Sequence, residues 1–529
     1  MNAGHTYQKA VKKFFIIITH VLLCGYCYAQ QNSVPQINGP RLFGARPDKI
    51  FIYAVPVSGA QPIQMEAKGL PATVQLDTRT GIITGKIHTP DTYPIKLTVK
   101  NKFGKITRIF SLVIGDRLAL TPPMGWSSWY SYGRNVTQKQ IELTAKLMKE
   151  KGLQQLGWTL LEVDDPWANQ PVKSNPVWTE LKTQSDNKVY RYYEGPDNLA
   201  TRQGAPRDGY GNLVPNTFFP NLKGMTEALH HDGFKVGIYS SPGPLTCGGA
   251  AGSYQHEFQD AKYWSDMGFD YLKYDWCSYG AFAKDTSRAE YMKPYKLMAG
   301  ALHQQQRDII FSLCQYGMGN VWEWGNEAGG QLWRTEQDIR DNWSSIHNAM
   351  KKLADKAAYV KPGNWNDPDI LQIGTIGGND EDGKKRVNHL NAEEQKTHFS
   401  MWCMLSAPLL IGANMEYIDD ATLRLLQSKE MIAVDQDALG KAAKRLKVMD
   451  NQLEIWQKPM EDGSFIIALL NASDDMLSSN VNILNFELPH LPVTITDLWA
   501  KQPVRFPEGD ISISIPSHGV MILKCNISK

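Results

Sequence analysis

No stretch of this 529-residue chain runs to one sign of charge, and 56 Lys+Arg against 54 Asp+Glu leave no basic excess for nucleic acid or an anionic membrane surface. Metal-binding spacings are missing as well. There is no His-Glu-x-x-His or His-x-x-x-His, no Asp-x-Asp-x-Asp-Gly calcium loop, and no Cys-x-x-Cys beyond residue 29. A Gly-x-Ser-x-Gly elbow, a Gly-x-Gly-x-x-Gly after a strand and a P-loop are equally lacking. The sequence therefore gives no support to metal, nucleotide or serine-nucleophile chemistry, and no cofactor is expected. Long apolar runs are scarce too. One, "FFIIITHVLLCGYC", follows Lys9, Lys12 and Lys13 and ends at Tyr28-Ala29 before polar "QQNS". This is the pattern of a secretory leader over residues 1–29, too short for a comfortable membrane span. Export to a periplasmic or extracellular location is expected. A lipid anchor at Cys24 or Cys27 is disfavoured by the bulky Leu23 and Tyr26 before them. Cleavage would leave five cysteines, Cys247, Cys277, Cys314, Cys403 and Cys525, enough for at most two disulfides in a permissive compartment.

What the chain does have is aromatic side chains, 15 Trp and 22 Tyr, suited to a large core and to stacking against sugar rings. Three rhythms succeed one another. Over residues 33–116 short alternating segments, "KIFIYAVPV", "TVQLDTRTGIITGKI", "YPIKLTVKN" and "ITRIFSLVI", separated by Gly, Pro and Asn turns, predict a small β-sandwich. Over 117–436 apolar runs alternate with helical stretches. Eight strand candidates, 124–129, 159–165, 235–241, 271–277, 309–315, 332–338, 363–369 and 408–413, predict a (β/α)₈ barrel. Thr137-x-x-Gln140, Ser287-x-x-Glu290 and Asn391-x-x-Glu394 have the form of capping boxes at helix starts. Over 437–529 the β pattern returns, with Asp462-Gly463 as a hairpin turn, and predicts an antiparallel sandwich.

Function in such a barrel gathers at the C-terminal ends of the strands. Those ends carry Trp129, Asp164-Asp165, Tyr239, Lys273, Asp275, Cys314-Gln315-Tyr316, Arg334, Asp338, Asp367 and Asp369, more acids than packing requires. Any one has a bland explanation, such as a turn at Asp367-Pro368 or a cap at Asp338. Together they suit glycoside hydrolysis, in which one carboxyl protonates the leaving oxygen and a second attacks or activates water.

The motifs "TPPMGWSSWYSYG", "LLEVDDPW", "KVGIYSSPGPLTCGG", "YLKYDWCS", "LWRTEQDIRDNW" and "GNWNDPDIL" occur in the order and at the strand ends found in glycoside hydrolase family 27. The chain resembles the α-galactosidases of that family over its barrel and C-terminal sandwich, and its N-terminal segment resembles the immunoglobulin-like modules attached to secreted bacterial glycosidases. The resemblance implies a retaining hydrolase of terminal α-linked galactose, with Asp275 as nucleophile and Asp338 as acid/base. It further implies substrate contacts from Trp129, Asp164, Asp165, Tyr239, Lys273, Cys314, Tyr316, Arg334 and Asp369, and a disulfide between Cys247 and Cys277. Asp275 beside Lys273 is expected to have a depressed pKa, and Asp338 a raised one. The family's usual Glu-Trp after the fifth strand is Gln315-Tyr316 here, still bulky, which argues for a free sugar 2-hydroxyl. β-L-Arabinopyranosidase, α-N-acetylgalactosaminidase and a non-catalytic carbohydrate-binding protein stand as alternatives. The expected partner is a carbohydrate, and oligomeric state is left open.

Overall fold

Eight short parallel strands make the central sheet: β1 (Met124–Ser127), β2 (Leu160–Val163), β3 (Lys235–Ser240), β4 (Tyr271–Asp275), β5 (Ile310–Cys314), β6 (Leu332–Arg334), β7 (Trp365–Asp367) and β8 (Leu409–Ile411). Each of β1 to β7 pairs in parallel with the next of that series, and β1 also pairs with β8. Past the end of β7, Leu371 bridges Ile411, with Leu371 N–H donating to Leu410 O at 2.8 Å and Gly412 N–H to Leu371 O at 2.9 Å, so the ring closes into a barrel. The computed structural model describes residues 33–527 apart from 173–175, 187, 189–199 and 378–384. The leader predicted over 1–29 lies outside the described residues. Among the described residues no helix is long and apolar enough to cross a membrane.

Alternation along the strands sorts side chains between two environments. Leu161, Val163, Val236, Ile238, Leu272, Tyr274, Phe311 and Leu313 point outward into the layer of helices. Leu160, Tyr271, Ile310, Leu332, Trp365 and Leu410 point inward and fill the lower barrel. Two residues further along, the inward positions become Glu162, Lys273, Ser312, Arg334 and Asp367, so the upper barrel is polar. The helices begin where capping chemistry places them. Thr137 with Gln140 and Asn391 with Glu394 form reciprocal capping boxes, and the Ser287 side chain accepts from Glu290 N–H.

Beyond the barrel lies a six-stranded antiparallel sheet whose central strands, Leu453–Pro459 and Phe465–Asn471, are buried on both faces, which is why they read as continuous apolar runs. Trp456, Ile466, Ala468, Leu470 and Ile522 pack on the barrel. Leu453, Ile455, Ile467, Leu469 and Leu523 pack with the two-stranded sheet of Leu477–Asn482 and Asp510–Ile515. At the other end, a four-stranded and a three-stranded sheet enclose a separate core around Phe51, Ile83, Ile95, Leu97, Phe110 and Leu112. This N-terminal sandwich docks on the segment entering β5. Ile50 N–H donates to Gln306 O at 2.9 Å, and Arg46 meets Asp308 twice, through Nε at 2.7 Å and its backbone N–H at 2.8 Å. The sandwich therefore covers the N-terminal end of the barrel, opposite the strand ends that carry the acids.

Candidate functional site

Residues at and just past the strand ends build the pocket. Asp275 is the last residue of β4, 6 % exposed, and each of its carboxylate oxygens accepts a phenol. Tyr239, near the end of β3, donates to Oδ2 at 3.1 Å, and Tyr316, just past β5, donates to Oδ1. Tyr316 sits at φ +64°, in the left-handed region that turns the chain back over β4. The sulfurs of the Cys247–Cys277 disulfide lie behind both phenols, Cys277 Sγ 3.2 Å from the Tyr239 hydroxyl and Cys247 Sγ 3.7 Å from that of Tyr316. Both sulfurs and a carboxylate oxygen of Asp275 fall within 4.8 Å of one another. The disulfide implied by the family resemblance is therefore present and braces the carboxylate.

Lys273 does not serve Asp275 in the way its spacing suggests. Its ammonium donates to Asp164 Oδ2 at 2.6 Å, across the barrel on the end of β2. Burial then dominates at Asp275 and pushes its pKa up, against the attraction of Lys273 and the Tyr316 hydrogen bond. Asp338 shifts the opposite way. Its carboxylate is 3.2 Å from Arg334 Nη2, and although burial works to raise its pKa, the positive charge of Arg334 and Lys273 together outweighs it and holds the pKa down. The order expected from sequence, a low Asp275 and a high Asp338, is thus reversed in the sugar-free site. Lys273 bonds Asp164 rather than the Asp275 two residues from it, while Arg334 holds Asp338 four residues on.

Asp164 and Asp165 follow β2 and are both 2 % exposed. Asp164 Oδ1 accepts Asp165 N–H at 2.8 Å. Asp165 accepts the Thr246 hydroxyl at 2.9 Å and Gly248 N–H at 2.6 Å, and burial raises its pKa to about 7. Gly248 is required there, because a Cβ at that position would meet Asp165 Oδ2 at 2.8 Å. Trp129 opens the short helix after β1 and is half-buried beside the inner-barrel cluster.

Two residues stand differently from expectation. Cys314 is 0 % exposed, with Arg334 Nη1 3.7 Å from its sulfur, so its side chain lies beneath the pocket floor and has no surface to offer a sugar. Asp369 is saturated by the protein. Its Oδ2 accepts Arg334 at 2.9 Å, the Tyr130 hydroxyl at 3.1 Å and Ile339 N–H at 3.0 Å, and its Oδ1 accepts Ile370 N–H at 2.8 Å. It anchors Arg334 and the backbone after Asp338. Burial raises its own pKa to about 6.

Sequence spacing did not single out Tyr130 or Glu162. Glu162 is 0 % exposed inside the barrel and accepts the Ser127 hydroxyl at 2.5 Å. Strand parity alone could have found it, since it lies two residues before Asp164 on the same face.

Similarity to known proteins agrees with this geometry. Family models match three segments: an Ig domain at residues 34–115, α-galactosidase A at 186–437, and the α-galactosidase C-terminal β-sandwich domain at 450–525. The α-galactosidase of Cyamopsis tetragonoloba is 34 % identical over 406 residues, 76 % of this chain and 85 % of that protein. α-Galactosidase A of Cellvibrio japonicus is 30 % identical over 432 residues, 77 % of this chain and 93 % of that one. A solved Bacteroides fragilis structure of the α-galactosidase/melibiase type superposes with a TM-score of 0.83 at 32 % identity, covering 94 % of this chain and 99 % of the other. The strand-end acids, the barrel that presents them and these relatives converge, and the chain belongs to the α-galactosidase (melibiase) family, glycoside hydrolase family 27.

Proposed function

We propose that this protein releases terminal α-linked D-galactose from oligo- or polysaccharides with retention of configuration. Asp275 is the nucleophile and Asp338 the acid/base. The observation that carries this reading is one ordered carboxylate, Asp275, buried on a disulfide-backed floor with a more solvent-accessible carboxyl, Asp338, on Arg334 beside it. Asp275 attacks the anomeric carbon while Asp338 gives its proton to the departing oxygen, and the glycosidic bond breaks. Asp338 then takes a proton from water, which attacks the same carbon and breaks the ester to Asp275. For the first step Asp338 must be protonated. Its side chain is 63 % exposed in the sugar-free site, so a bound sugar displaces water from it and moves its pKa upward.

By resemblance to the family, Asp164 and Asp165 accept the sugar's O4 and O6 hydroxyls, and their presence supports galactose over a pentopyranose that lacks the hydroxymethyl group. The Tyr316 ring, bonded to Asp275, puts bulk beside the reacting carbon and supports a free 2-hydroxyl rather than an acetamide. The Lys-rich N-terminus with its apolar run, together with the disulfide, supports export to an oxidising compartment.

Nitrophenyl α-galactoside, β-L-arabinopyranoside and α-N-acetylgalactosaminide, supplied in parallel, test the substrate. The α-galactoside should be cleaved fastest, and NMR of the first product should show the α-anomer. In Asp275→Asn turnover should fall by at least about 10³-fold while galactose binding persists. An inverted product, or a variant that turns over normally, overturns the assignment.

A further inference from the structure

Glu162 is buried at 0 % exposure halfway up the inside of the barrel, and Gly237 on β3 leaves the space for it: a Cβ there would meet Glu162 Cγ at 3.2 Å. The surrounding strands present it with a small set of groups. From β1 the Ser127 hydroxyl donates to Oε2 at 2.5 Å. From just past its own strand comes the Asp164 carboxyl, two residues on and on the same face. From β4 come the Lys273 ammonium and the Tyr271 phenol. No donor among the described residues reaches Oε1. Lys273 faces both carboxyls and is bonded at 2.6 Å to Asp164. With that ammonium taken by Asp164, a second buried negative charge on Glu162 would have a single hydroxyl to offset it, so one of the two carboxyls keeps a proton.

We infer that Glu162 holds that proton and acts as a positioning residue, its carboxylic O–H fixing the Asp164 carboxylate in the orientation that receives the sugar. Of the two acids Glu162 is the one to hold it. Asp164 has Lys273 and the Asp165 N–H to stabilise its charge, whereas Glu162 has a single hydroxyl. Its burial next to Asp164 raises its pKa to about 8, against the pull of Lys273. Loss of the proton places a second charge beside Asp164, repels it and competes for Lys273, so sugar binding weakens.

The kinetic arm of the test rests on the galactosidase reading. The other arm does not. In the sugar-free protein, infrared difference spectra between pH 6 and pH 9.5 should show loss of un-ionised carboxylic acid carbonyl absorption, to which Asp165 and Asp435, with pKa values raised to about 7 and about 8, also contribute. In E162Q that loss should be smaller by one carboxyl, and an equal loss in both proteins overturns the inference whatever the enzyme acts on. With nitrophenyl α-galactoside, the ratio of KM at pH 9 to KM at pH 6 should be about tenfold in the wild type, as one ionisation dictates. In E162Q, whose amide still donates, the ratio should fall toward one. Glu162→Met, confirmed folded by its melting curve, loses the donor and should carry the raised KM already at pH 6. A KM ratio in E162Q equal to the wild type's would also overturn the inference, because Asp165, with its own pKa raised to about 7, would then account for the limb alone. A wild type that cleaves none of the glycosides defeats the galactosidase reading and leaves the infrared arm to decide the proton.

Discussion

Burial, opposed by one ammonium and one phenol, sets how far Asp275 can ionise. Burial pushes its pKa up, and the attraction of Lys273 and the Tyr316 hydrogen bond pull it back. Removing that donor in Tyr316→Phe leaves the ring in place but lets the carboxyl hold its proton to higher pH. Because attack requires the ionised form, the acid limb of kcat/KM should move to higher pH. Below that limb, kcat/KM should drop roughly tenfold for each pH unit by which the limb moves. A pH–rate profile superposable on that of the wild type would show that Tyr316 does not bear on the nucleophile. The same residues show why the charge order of the pocket was not legible in the sequence. Spacing places Lys273 two positions from Asp275, yet its ammonium bonds Asp164, 109 residues away in the chain. That order depends on side chains converging from different strands, and local spacing carries no record of the convergence.

At the level of elements, the strands were legible because inner and outer faces alternate and the outward positions are strongly apolar. All eight barrel strands fall inside their sequence-predicted windows. Their ends do not coincide, since the windows run on into residues that leave the sheet, some with left-handed backbone such as Cys277 and Asp369. Strands with weak patterns escaped notice: Gln64–Lys68, Lys444–Val448 and Leu477–Asn482 lie at sheet edges or face solvent on one side, and their sequences are largely polar. The Cys247–Cys277 bridge ties the loop after β3 to the end of β4 across 30 residues. Closing a loop of that length should stabilise by roughly 3–4 kcal/mol through the unfolded chain. In Cys247→Ser/Cys277→Ser that stability should be lost in denaturant titration. Turnover should fall as well, because the sulfurs back both phenols that hold Asp275. Full activity in the double variant would show that the tyrosines are held without the bridge.

Over the whole molecule, the N-terminal sandwich is docked rather than merely tethered. Arg46 and Asp308 are each only 10 % exposed at their side chains, and Arg46 also reaches His303 Nδ1 at 2.9 Å. Lys235 lies 4.4 Å from the centre of the Phe43 ring in the same seam. Arg46→Ala removes the guanidinium and leaves the buried Asp308 only the backbone N–H of residue 46, which should weaken docking by roughly 1.5–3 kcal/mol. Limited proteolysis should then cut the connection near residues 115–122 faster than in the wild type, with glycoside turnover preserved. An unchanged cleavage rate would mean that the apolar seam alone holds the sandwich in place.

That seam also fixes a direction. The sandwich occupies the end of the barrel where the strands begin, and the acids occupy the end where they finish, so the two surfaces look away from each other. A polymer held by the N-terminal sandwich could not pass straight into the pocket; the sugar that reacts must come from another strand or from a branch that folds around the barrel's flank. Any gain from the sandwich would therefore come from keeping the enzyme near its material rather than from feeding one chain straight into the pocket.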